Sequence, residues 1–184
     1  DIRGIDQSIR NAGDGISLAQ TAEGALSQIS SSVQRIREIA VQSSNATLED
    51  RTGLQKEVDQ LTQEISRIVQ TTTFNGTSLF DVSGTSSLTF QVGQDGNANN
   101  QVSLTLSGMT GGLISAYASS LTATGTVNVS SAATASAALS TLETDIDDIS
   151  KQRATFGAVQ NRFESVISNL SNYSENLTSS RSRI

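Results

Sequence analysis

The sequence has no proline, cysteine, histidine or tryptophan, and its aromatic residues are five phenylalanines and two tyrosines. The absence of proline leaves long helices possible, because proline removes a backbone donor and clashes with the preceding turn. The absence of cysteine excludes disulfides, so the redox compartment cannot be read from thiols. With neither histidine nor cysteine, a hydrolase would have to use a Ser–Lys pair or paired carboxylates. Lys56 and Lys151 are the only lysines, each on a charged helical face. Neither a catalytic set nor a cofactor is expected.

Charge and apolar content exclude further classes. Acidic residues outnumber basic ones, 18 to 12, for a net charge of -6. That balance argues against a phosphate-neutralising surface, so no nucleic-acid partner is expected. No apolar run approaches the roughly 18 residues of a membrane span, and no leader pattern opens the chain. Apolar residues make up 35% of 184. That is low for a compact domain, and predicts a thin core of Leu, Ile, Val and Ala.

What the sequence does have is helical periodicity at both ends. Ile2, Ile5, Ile9, Ala12, Ile16 and Ala19 step by three and four, and Ala22, Leu26, Ile29, Val33, Ile36 and Ala40 continue the rhythm after a slip in phase. The pattern predicts a helix over 1–45, on the order of 60 Å long, burying one narrow seam. Asn11–Gly15 reads NAGDG, a turn signal by local chemistry. The apolar rhythm runs through it, so continuous helix is expected. A second helix is expected over 47–72, with Thr47 accepting from the Asp50 backbone as its cap. Leu54, Val58, Leu61, Ile65 and Ile68 form its stripe. The short link makes it an antiparallel neighbour of the first helix.

Residues 81–133 change character. Leu88, Phe90 and Val92 alternate with polar residues, as do Val102, Leu104 and Leu106, and GQDGNANN lies between them. This predicts a β-hairpin with a polar loop, followed by short strands or irregular surface over about 107–130. From 134 to 184 a helix is expected, its stripe carried by Leu139, Leu142, Ile146, Ile149, Phe156, Phe163, Leu170, Tyr173 and Leu177, with Arg153 and Gln160 as polar seam positions. Asp147 and Lys151 are placed for an i,i+4 pair. Asp145, Asp147 and Asp148 read as a solvated face, because carboxylates on one helix diverge where a metal needs them to converge. Sequons, among them those at Asn45, Asn75, Asn128, Asn172 and Asn176, are expected by chance in a chain rich in Ser and Thr. The fold expected is mainly α: one elongated antiparallel bundle of two N-terminal helices and one C-terminal helix, with a small β-hairpin.

Five stretches, in order, resemble bacterial flagellins: GISLAQTAEGAL (15–26), VQRIREIAVQSSN (33–45), TTTFNGTSLF (71–80), TFQVGQDG (89–96) and GAVQNRFESVISNLSNYSENLTSSRSRI (157–184). The resemblance implies the single rod domain of a flagellar filament subunit, 1–184, without the terminal coiled-coil segments. It implies a structural protein, exported through the flagellar apparatus with a chaperone, and assembling with other subunits outside the cell. The isolated chain is then expected to be a monomer. A hook–filament junction protein shares this architecture and is the alternative. The resemblance further implies recognition by vertebrate Toll-like receptor 5, through Gln34, Arg35, Glu38 and Ile39, with Glu57 on the antiparallel helix. Read without the resemblance, these charges are an ordinary solvated helical face.

Overall fold

The structure is a computed structural model describing residues 2–80, 85–107 and 127–183. It is mainly α. Helix α1 spans Ile2–Ser43, α2 Thr52–Thr71 and α3 Ala132–Ser182. The described residues also form two small sheets: β1 (Thr73–Phe74) with β2 (Thr77–Ser78), and β3 (Thr85–Gln91) with β4 (Gln101–Ser107). The expected strands or irregular surface after the hairpin fall almost wholly outside the described residues, as does the Leu106 side chain. The chain divides into two compact units, Asp1–Glu23 with Ser86–Leu106 and Ala154–Ile184, and Gly24–Thr85 with Ser107–Arg153.

Helix α1 passes through Asn11–Gly15 without a break. Its seam corrects the sequence reading. Positions 5, 8, 12, 15, 19, 22, 26, 29, 33, 36, 40 and 43 are all buried, an unbroken alternation of three and four. No phase slip is needed. Ser8 and Gly15 occupy seam positions, while Ile9 and Ile16 flank them half-buried. Ser8 is tolerated there because its hydroxyl donates to the Gly4 carbonyl at 3.0 Å.

In the first unit Gly15 admits an aromatic ring. A β-carbon at this position would lie within 2.9 Å of the Cε1, Cε2 and Cζ atoms of Phe163. Phe163 is fully buried with Ala12, Val92 and Val102, and meets Phe90 edge to face at 5.2 Å between centroids. Strands β3 and β4 supply the other side of this cluster. The pairs Thr89–Ser103, Gln91–Gln101 and Val92–Asn100 step in opposite directions, which makes the hairpin antiparallel. Gln91 organises its polar loop, donating to the carbonyls of Gly93 (2.9 Å) and Asp95 (2.7 Å). Asn11 Nδ2 ties α1 to the hairpin by donating to the Gln91 carbonyl at 2.9 Å.

In the second unit α2 begins at Thr52, later than the expected 47. The expected Thr47 cap is not formed. Asn45 Oδ1 takes both the backbone N–H and the hydroxyl of Thr47, at 3.1 and 2.9 Å, holding that residue in a turn before the helix. Asp50 Oδ1 instead accepts the Thr52 N–H at 2.8 Å. Arg51 reaches back and donates to the carbonyls of Ser43 (2.9 Å) and Asn45 (2.8 Å), supplying partners that the end of α1 cannot find within itself.

Immediately after α2 comes a hairpin the apolar pattern did not reveal. Strands β1 and β2 pair antiparallel, Thr73 with Ser78 and Phe74 with Thr77. Asn75 (φ 48°) and Gly76 (φ 79°) form the turn, as Asn-Gly does in two-residue hairpin loops. Leu79 and Phe80 then enter the core.

Helix α3 is entered through a clamp. Val127 and Val129 are buried, and their backbone is bracketed by one side chain. Gln55 Nε2 donates to the Val127 carbonyl at 2.9 Å, and Gln55 Oε1 accepts the Val129 N–H at 2.7 Å. The Val129 carbonyl takes the buried Ser43 hydroxyl at 2.5 Å. Ser131 and Thr134 then cap the helix reciprocally, Thr134 N–H to Ser131 Oγ at 3.2 Å and Ser131 N–H to Thr134 Oγ1 at 3.3 Å. Along α3, Ala135, Leu142, Ile149, Phe156 and Phe163 are buried at seven-residue steps. Leu170 and Leu177 are half-buried, and Tyr173 is 53% exposed. One charge reading changes, and one ion pair is added. Asp145 is fully buried, not solvated, because it falls three residues after Leu142 on the seam. Lys151 bonds Asp148 at i,i+3, 3.0 Å.

Candidate interaction surface on the paired helices α1 and α2

Spacing on α1 decides which of the candidate residues face water. Ile36, Ile39 and Ala40 lie on the seam side and are buried, while Gln34, Arg35, Arg37 and Glu38 lie outside it. Arg35 is the centre of the exposed face. Its Nε donates to Glu57 Oε1 on α2 at 2.8 Å, and its Nη1 to Glu38 Oε2 on α1 at 2.9 Å. The side chains are 50%, 42% and 67% exposed respectively. The hydrogen bond to Glu57, then that to Glu38, raises the Arg35 pKa above its ordinary value. The guanidinium therefore stays charged.

A planar guanidinium held by two carboxylates is oriented, because each N–H in the fork has a fixed direction. Exposed ion pairs add little to folding, so this network affects surface shape more than stability. Gln34 donates to Ser30 Oγ at 3.4 Å, a long contact that leaves its amide adaptable.

Four of the five candidate residues thus share one exposed face. Gln34, Arg35 and Glu38 stand on α1 and Glu57 faces them from α2. Ile39, 1% exposed, belongs to the core and presents no side-chain surface. Sequence reasoning missed the neighbours on α3. A shallow groove beside the network is lined by Gln34, Arg37, Glu38, Glu143, Ile146 and Asp147. No sequence signal could have found it, since it depends on which face of α3 turns toward α1. Among the described residues no group of three His, Cys, Asp or Glu side chains converges to hold a metal ion, and no helix is long and apolar enough to cross a membrane.

Residues 1–85 match a family described as bacterial flagellin N-terminal helical region, and residues 139–184 match bacterial flagellin C-terminal helical region. A flagellin of Halalkalibacterium halodurans is 42% identical over all of this chain, which covers 65% of that protein. A flagellin of Bacillus subtilis is 37% identical, and there the chain covers 68%. The chain thus spans about two thirds of the length of these relatives. The crystal structure of Bacillus cereus flagellin superposes with a TM-score of 0.72 at 31% identity, covering 88% of each chain. FliC from Burkholderia pseudomallei shares the fold, with a TM-score of 0.64 at 22% identity over 80% of this chain and 99% of that one.

Proposed function

The chain belongs to the bacterial flagellin family, and we propose that it is the rod region of a flagellar filament subunit, a structural protein that assembles with further subunits in the extracellular flagellum. The observation that carries this reading is similarity along the whole chain, with an N-terminal and a C-terminal flagellin region in family order. Long helices with exposed faces suit the role. Repeated heterologous contacts that do not close into a ring generate an open helical filament. Export through the flagellar apparatus with a chaperone belongs to the same reading, as does the absence of catalysis.

The test is complementation. The chain is placed between the terminal segments of a known flagellin and expressed in cells lacking their own. Long filaments by electron microscopy are the expected result. Bare hooks, with the hybrid shown to be exported and folded, overturn the reading in favour of a hook–filament junction protein.

In the monomer, the exposed face of Gln34, Arg35, Glu38 and Glu57 is the surface proposed for recognition by Toll-like receptor 5. The pre-oriented Arg35 guanidinium supports this assignment. Ile39 acts from beneath, holding the turn that displays Arg35 and Glu38. In a receptor reporter assay, Arg35→Ala and Glu57→Ala should each lower the response. An undiminished response in both variants removes the assignment.

A further inference from the structure

Asn75–Gly76 is the one Asn-Gly pair in the sequence. It forms the tip of the β1–β2 hairpin, and both residues are exposed. Beyond Gly76 and its two chain neighbours, no heavy atom lies within 4 Å of where a β-carbon on Gly76 would stand. The Gly76 amide nitrogen is therefore the least hindered main-chain nucleophile that can follow an asparagine. The hairpin itself is slight. Each strand has two residues, and an isolated two-stranded hairpin is marginal in water.

We propose that Asn75–Gly76 is a site of spontaneous backbone modification, at which Asn75 loses ammonia and becomes aspartate or isoaspartate. The Gly76 nitrogen attacks Asn75 Cγ. The new N–Cγ bond closes a succinimide as the Gly76 N–H proton passes to solvent; the Cγ–Nδ2 bond breaks, and Nδ2 leaves as ammonia after taking one proton. Water then opens the imide. Attack at Cγ gives aspartate; attack at the main-chain carbonyl gives isoaspartate, with the backbone routed through Cγ. The sole co-reactant is water, and no oxidant or reductant is involved.

The fold sets the rate. Both residues are fixed in the left-handed region between paired strands, so the swing of the Gly76 nitrogen onto Cγ is slowed until the hairpin opens. Local opening of so short a ladder costs far less than global unfolding. Either product adds a negative charge. Isoaspartate also lengthens the main chain by one atom, which breaks the match of Thr73 with Ser78 and loosens the entry of Leu79 and Phe80 into the core.

The experiment incubates the folded chain in mildly alkaline buffer, with a urea-unfolded sample in parallel. Acidic species are followed by isoelectric focusing and located by chymotryptic peptide mapping with isoaspartate detection. The expected result is reaction at Asn75 ahead of every other asparagine, roughly tenfold faster in urea than in the folded chain, the ratio set by opening of a marginal hairpin. Asn75→Gly keeps a residue that accepts positive φ, and should abolish the first acidic species. The proposal is overturned if that species persists in Asn75→Gly, if another asparagine reacts first, or if Asn75 in the folded chain reacts no faster than the chain unfolds globally.

Discussion

Gly15 on α1 and Phe163 on α3 fit as notch and knob: the ring occupies the space a β-carbon on residue 15 would need. In an exposed helix interior, replacing glycine by alanine stabilises by about 1 kcal/mol. Here the sign should reverse, since overpacking a well-filled core costs about 1–3 kcal/mol. Gly15→Ala is expected to lower the denaturation midpoint, whereas Gly24→Ala, with open space around it, should raise it slightly. Adding Phe163→Leu to Gly15→Ala should recover part of the loss, giving a non-additive cycle measured by urea unfolding.

The Gln55 amide stands in for a β-strand partner. It satisfies one carbonyl and one N–H of the Val127–Val129 backbone, as a neighbouring strand would. Gln55→Leu preserves bulk and removes both bonds, leaving buried main-chain groups unsatisfied at about 1–3 kcal/mol. The expected readout is a lower denaturation midpoint together with faster hydrogen exchange at the Val129 amide. Unchanged exchange there would show that the clamp does not hold the entry to α3.

Asp50 and Glu64 set the expected response to acid. The backbone and side-chain hydrogen bonds of Thr52 hold the Asp50 pKa below its ordinary value, and the hydrogen bond from Arg67 does the same for Glu64. A carboxyl whose folded pKa is depressed contributes stability that is present above its unfolded pKa and lost as pH falls through the folded one. Stability should therefore fall on acidification below about pH 5, the loss at these two sites beginning at the unfolded carboxylate range. Asp50→Asn keeps an acceptor for Thr52 without the charge, and should flatten the pH dependence of the urea midpoint. An equally steep profile in this variant would remove Asp50 from the account. Asp50 is exposed and Glu64 partly so, which keeps the change modest and lets salt reduce it.

The long helices were legible because apolar residues at three- and four-residue steps leave few alternatives, and that rhythm outweighed the glycines of Asn11–Gly15. The seam was legible only in part. Ser8, Gly15 and Ser43 occupy it, and a reading that scores apolar side chains passes over them. Ser8 and Ser43 are admissible because their hydroxyls find carbonyls, and Gly15 because Phe163 fills its space. Ser8 finds its carbonyl within its own helix, but the Ser43 bond to Val129 and the Phe163 ring over Gly15 exist only once distant segments meet. Asp145 escaped for the same reason, since its place on the seam outweighs its charge in deciding where it points. The Asn75–Gly76 turn was different. Its two residues are a strong hairpin signal, but strands of two residues carry no alternation to draw attention to it. At the candidate surface, the Arg35–Glu38 pair lies at i,i+3 within one helix, whereas the bond to Glu57 spans 22 residues and needed the docking of α2.

The Arg35–Glu57 bridge allows recognition to be separated from stability. Exchanging the two, Arg35→Glu with Glu57→Arg, keeps opposite charges across α1 and α2 but inverts the polarity shown to a partner, and sets a second carboxylate beside Glu38. The bridge is exposed, so the melting temperature of the exchanged variant should stay close to that of the parent. The receptor response should nonetheless fall, because a partner selected for an oriented guanidinium meets a carboxylate. Ile39 gives the converse. Ile39→Val removes one buried methyl(ene) group, costing about 0.5–1.5 kcal/mol, while the exposed face above it is unaltered. Its melting temperature should drop and its receptor response, assayed well below that temperature, should persist. If instead Ile39→Val silences the response in a fully folded chain, the isoleucine is reached by the receptor and the surface assigned to Gln34, Arg35, Glu38 and Glu57 is too narrow.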